Sequence, residues 1–95
     1  MPLLALETEK IVNAVKRIGV HCLGGKESES YQDKSLRGQV YSDIYTQLKR
    51  EFGVNTYKAI KRNQCETAVE IILSYKLPLA LANEIEGTNA QMQFN

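Results

Sequence analysis

The chain has 95 residues, 43% hydrophobic and 24% charged, with a formal net charge of +1. That length bounds it to one domain with a modest core, and the composition excludes wholesale disorder. No run is long and apolar enough to span a bilayer, and MPLLALETEK lacks the basic start and small-residue cleavage site of a signal peptide. Cys22 and Cys65 make no disulfide scaffold, so a reducing, cytoplasmic setting is expected.

From Leu6 to Leu23, Ile11, Val15, Ile18 and Cys22 recur at helical spacing, and Val12 widens the stripe. Glu7 and Glu9 sit where a helix dipole favours anions, and Gly24-Gly25 supplies the stop. KESESYQDKS is rich in turn formers and reads as an ordered loop with at most one helical turn around Tyr31. A second helix is expected over residues 36–52, with Ser35 as its N-cap. Leu36, Val40, Ile44 and Leu48 form one ridge, and Tyr41, Tyr45, Leu48 and Phe52 form another beside it. Gly38 lowers the propensity of this helix by up to about 1 kcal/mol. Gly53 and Val54 fit a Schellman ending.

GVNTYKAIKR then makes a short irregular elbow, with Val54, Tyr57 and Ile60 as its anchors and Val54–Ile60 capable of a brief extended piece. Asn63 and Glu66 stand at capping-box spacing before a third helix over 64–76, whose apolar face holds Cys65, Ala68, Val69, Ile72, Leu73 and Tyr75. Leu77-Pro78 ends it. A last helix over 78–86 presents Leu77, Leu81 and Ile85 to one side, with Gly87 as its stop. The expected fold is all-α: a bundle of about four helices forming one domain over residues 1–87, with a flexible tail over 88–95.

Motifs for chemistry fail one by one. Gly24-Gly25-Lys26 is no phosphate loop, because Val20 stands where a glycine is needed and Glu27 follows the lysine. His21, Cys22 and Cys65 lack the paired spacing of zinc ligands, and neighbours on a helix diverge by about 100°. Cys65 would open a helix, yet no base or oxyanion site accompanies it. The expectation is a non-catalytic chain without cofactor or metal.

Charge is uneven. Residues 34–62 carry seven basic side chains against two acidic ones, a net +5, whereas residues 63–95 carry one basic against four acidic, a net −3. The basic middle implies either an anionic partner or a match with the acidic end, within the chain or between two chains. Tested as a helix-turn-helix around Gly53, the pattern needs a small residue at Lys49 and apolar ones at Val54, Ala59 and Arg62. Lys49 and Arg62 fail, Ala59 half fits, and only Val54 fits fully. What remains is a sequence-independent phosphate surface formed by Lys49, Arg50, Lys58, Lys61 and Arg62. The wide aromatic face around Tyr41 and Tyr45, and the apolar stripe with Ile11 and Val15, are the candidate interface with a protein partner or a second copy.

The strings VYSDIY at 40–45, LKREFGV at 48–54 and YKAI at 57–60, preceded by CLGGKESESYQDKS, resemble the "ORF six C" domain over about residues 18–78. That domain forms the C-terminal half of many antirepressor-type proteins of temperate phages infecting Gram-positive bacteria. The resemblance implies regulation of lysis and lysogeny inside a bacterial host, through a phage repressor, a host protein or self-association as a homodimer. Direct DNA binding and inhibition of a host protein are the alternatives. It also implies that a DNA-binding-like module of Bro or related type usually stands ahead of the domain. Here the domain begins near the first residue, so either an excised C-terminal domain or a stand-alone phage protein is expected. This chain departs from the family pattern at Lys61-Arg62, where Pro-Arg is common, and at Cys65, where an acidic residue is common.

Overall fold

A computed structural model describes residues 4–91, and among these it shows helices and no strand. Helix α1 spans Ala5–Leu23, a short α2 spans Glu29–Gln32, α3 spans Lys34–Phe52, α4 spans Cys65–Leu73 and α5 spans Leu79–Gln91. Two 3-10 turns, Tyr57–Ala59 and Arg62–Gln64, fill the elbow between α3 and α4. The all-α bundle is therefore as expected.

The long helices end as the sequence dictates. Gly24 and Gly53 take left-handed φ values of 99° and 63°, so the backbone can fold back and satisfy the last carbonyls. Gly25 N–H donates to Val20 O at 2.9 Å, and Val54 N–H to Lys49 O at 3.0 Å. Lys49 and Arg50 sit in the last turn of α3, where cations complement the dipole. The turn around Tyr31 is the short helix α2, capped by Ser28, whose Oγ accepts the Tyr31 N–H at 3.1 Å.

The N-terminal caps differ from expectation. Asp33, not Ser35, caps α3, its carboxylate accepting the Leu36 N–H at 3.1 Å. Because Asp33 also closes α2, the chain passes from one helix to the next with a single extended residue between them. The capping box at Asn63 and Glu66 does not form: Asn63 lies inside a 3-10 turn, and Gln64 precedes α4 without a side-chain cap. That turn also replaces the first residue of the expected third helix, and a 3-10 turn takes the place of the extended piece over Val54–Ile60. Helix α4 stops at Leu73, so Tyr75 reaches the core from beyond its end.

Helix α1 packs most extensively on α4 and α3, while α2 lies on α3 and α5. Ile11, Val15 and Leu23 of α1 meet Leu36, Val40, Ile44 and Leu48 of α3 and Ala68 and Ile72 of α4 in one core. Ile60, only 1% exposed, plugs it from the elbow, with Tyr57 and Val54 packed alongside. Ile11 and Val15 are 0% and 2% exposed, which withdraws them from the interface expected of helix one. Ile11 and Val15 are spent on two neighbouring helices, so neither is left for a second chain.

The C-terminal helix is a second correction. Helix α5 runs through Gly87 to Gln91, so residues 88–91 are helical rather than tail, and residues 92–95 lie outside the described residues. Its continuation is stabilised by Asn89, which accepts the Ser30 N–H at 2.9 Å and donates to Leu23 O at 3.0 Å. Buried Ser30 returns a bond to Ile85 O at 3.2 Å. These contacts join α5 to α2 and to the end of α1, a tertiary reward that outweighs the roughly 1 kcal/mol propensity cost of one glycine. Leu77, Leu81 and Ile85 face the core as expected.

Candidate functional site

The basic residues of the elbow are divided by the fold. Lys49 is half-buried and lines a small cleft of about 160 Å³ with Tyr45, Asn55, Thr56 and Tyr57. Tyr45 and Tyr57 meet there with ring centroids 5.2 Å apart at 37°. Arg50, Lys58 and Lys61 are exposed. Arg62 points elsewhere: its Nε lies 2.9 Å from Glu7 Oε1, tying the second 3-10 turn to the first turn of α1. Glu7 is only 12% exposed, so this cation has a structural partner.

The aromatic face of α3 is mostly consumed internally. Tyr41 lies over Gly19 of α1, whose missing side chain makes room for its ring. Tyr45 is paired with Tyr57. Burial raises both phenols above their ordinary range, with neighbouring tyrosines adding to the effect. Both remain half-buried.

Sequence reading missed a different surface. Helix α4 runs beside α1 in the same direction: Cys65 Sγ lies 3.8 Å from Glu7 O, and Leu73 borders a depression with Arg17 and His21. The groove between them has a volume of about 520 Å³. Ala14, Val69 and Leu73 form its apolar floor, and Leu73 is 42% exposed. Lys10 and Arg17 form the α1 rim; Glu66 and Glu70 form the α4 rim. Seven residues is nearly two turns, so Lys10 and Arg17 share one side of α1, and Glu66 and Glu70 at a spacing of four share one side of α4. All four are exposed, and the ion pair formed among the described residues, Arg62–Glu7, uses none of them. A signal existed: the apolar set assigned to the third helix is wider than the face one helix can bury against α1 alone.

Cys65 lies under this groove, buried, and burial pushes its thiol up, the reverse of what a nucleophilic thiolate requires. Cys22 is a free, half-buried thiol beside exposed His21, raised for the same reason. Among the described residues no group of three or more His, Cys, Asp or Glu side chains is placed to hold a metal ion. No helix among them is long and apolar enough to cross a membrane.

Comparison with curated proteins and with solved structures gives no match. A family model does match, described as the ORF6C domain, and it covers residues 1–85. The match takes in α1 and reaches Ile85 of α5, wider than the 18–78 carried by the sequence strings. The chain belongs to the ORF6C domain family, a phage-associated family.

Proposed function

We propose that this chain is a non-catalytic regulatory module of the phage antirepressor type, working in the bacterial cytoplasm by contacting protein. The observation that carries this reading is the open α1–α4 groove, apolar along its floor and oppositely charged along its rims. Exposed leucine framed by unpaired charge is what a reversible protein contact uses: burial supplies affinity, and the charges set orientation and partner choice. Within the chain's phage-associated family, that contact would relieve repression by engaging a phage repressor or a host protein. Expression of the chain in a lysogen of its own phage should raise the titre of free phage, and Leu73→Asp should lose the effect while keeping the helical circular dichroism. An unchanged titre with the wild-type chain, at protein levels confirmed by blotting, would refute the regulatory reading.

A second reading, sequence-independent DNA binding, is favoured by Arg50, Lys58 and Lys61, which are exposed, and by Lys49, which lines the Tyr45–Tyr57 cleft. Phosphate contacts of this kind give salt-dependent binding without base preference. Lys58→Ala/Lys61→Ala should weaken binding to unrelated duplexes equally and lower the salt slope by about 2. Absence of any mobility shift at low salt sinks it.

A further inference from the structure

We infer that the α1–α4 groove is a self-complementary surface whose occupant is a second copy of this chain. The inference rests on the protein-contact reading above and names the partner of that site. Its basis is the division of charge: the α1 rim carries Lys10 and Arg17, and the α4 rim carries Glu66 and Glu70. A two-fold axis laid along the groove places α1 of each protomer over α4 of the other and preserves their common direction. Every basic rim then meets an acidic rim, twice by symmetry. A two-fold axis perpendicular to the helices instead sets α1 on α1, cation against cation, and is disfavoured.

The heights agree. Cys65 lies level with Glu7, so at about 1.5 Å per residue Lys10 stands between Glu66 and Glu70, about 3 Å from each along the axis. Arg17 stands a little above Leu73, with a side chain long enough to cover it and reach back towards Glu70. The four charges lack partners within the described part of one protomer and gain them in the pair. The surface continues past Leu73 along α1 to Gly24, giving a footprint about 22 Å long, two helices wide beside α4 and one helix wide beyond it, or roughly 350 Å² per protomer. That is less than the roughly 800 Å² per partner of a stable complex, so the dimer is weak, with a dissociation constant in the range of about 10–1000 µM. It is a contact that a regulator can make and break with concentration.

Sedimentation equilibrium of the full chain from about 10 µM to 1 mM tests this. Wild type should pass from monomer to dimer, with weaker association as salt rises. Lys10→Glu/Arg17→Glu should weaken self-association by about 100-fold or more, and Glu66→Lys/Glu70→Lys should do the same. The two reversed chains mixed in equal amounts should dimerise again, because acidic α1 then faces basic α4 while wild-type α1 faces wild-type α4. All four side chains are exposed, so unchanged circular dichroism is expected and checks folding. A monomer at every concentration overturns the inference and leaves the groove to a helix of another protein. A dimer indifferent to both reversals, or reversed chains that do not rescue each other, overturns it as well. Neither result touches phage induction, which reads the broader proposal separately.

Discussion

Gly19 and Gly38 both lie inside long helices, and the same substitution should move stability in opposite directions at the two sites. Alanine in place of glycine gains about 0.5–1 kcal/mol in a helix interior when space is free. At Gly38 nothing lies within 4 Å of an added Cβ, so Gly38→Ala should stabilise by that amount. At Gly19 the added Cβ would collide with Tyr41 Cε1 and lie 2.7 Å from Tyr41 Cδ1. The ring is rigid and half-buried, and overpacking of this kind costs about 1–3 kcal/mol. Set against the propensity gain, Gly19→Ala should destabilise by about 1 kcal/mol. For a domain of this size that is a fall in Tm of about 4–8 °C, against a comparable or smaller rise for Gly38→Ala. Calorimetry or thermal circular dichroism reads both. In a Tyr41→Ala background the clash is gone and Gly19→Ala should become stabilising, a coupling of about 2 kcal/mol in the double-mutant cycle. If Gly19→Ala raises Tm in the wild-type background, or the coupling is under about 0.5 kcal/mol, the α1–α3 packing described above is wrong.

Asn89→Ala removes an acceptor from the buried Ser30 turn and a donor from Leu23 O, and should cost about 1–3 kcal/mol. Amide exchange should speed up first in α5, with α1 and α4 protected; uniform loss across all helices would contradict the latch. Gly87→Ala should stabilise by about 0.5–1 kcal/mol, since its Cβ meets nothing and α5 continues through it; a lower Tm would restore the helix stop there. Tyr75, buried and donating to Asp43 Oδ2 at 2.6 Å, titrates above the ordinary phenol range, first through burial and then through that bond. Its folded form holds the proton more tightly than the unfolded chain, so stability is full below about pH 10 and falls above it by up to about 1.4 kcal/mol per pH unit. Urea midpoints for Tyr75→Phe should therefore decline less between about pH 10 and 11.5, with Tyr41 and Tyr45 keeping some slope; an identical decline refutes the assignment.

The legible parts of this fold were those that local chemistry decides. Apolar spacing in α1 and α3 picked out Ile11, Val15, Val40, Ile44 and Leu48, all buried, and the glycines at 24 and 53 end their helices in the left-handed geometry expected. Gly87 misled because only φ > 0 makes glycine a stop, and here the Ser30 N–H, 59 positions from the Asn89 side chain that accepts it, rewards helix instead. Ser35 lost to Asp33 for a similar reason, since α2 fixes where α3 can begin. A hydrophobic period states that a face will be covered, not by which neighbour. Ile11 and Val15 thus looked available for a partner chain until α3 and α4 took them.

The fold also relocates the charge match that composition announced. The net +5 over residues 34–62 and −3 over 63–95 invited a pairing of basic middle with acidic end. In the fold, Arg62 leaves that basic set for Glu7, and the acidic pair of α4 faces Lys10 and Arg17 of α1, a helix outside both segments. A nucleic acid at the elbow would therefore rest on four cations, one of them half-buried beside Tyr57. The groove keeps all four of its charges free, the basic pair on one rim and the acidic pair on the other, around an exposed leucine. Oppositely charged rims repel a polyanion along one side and accept an amphipathic helix along both, so the geometry favours protein over DNA as the occupant of this face.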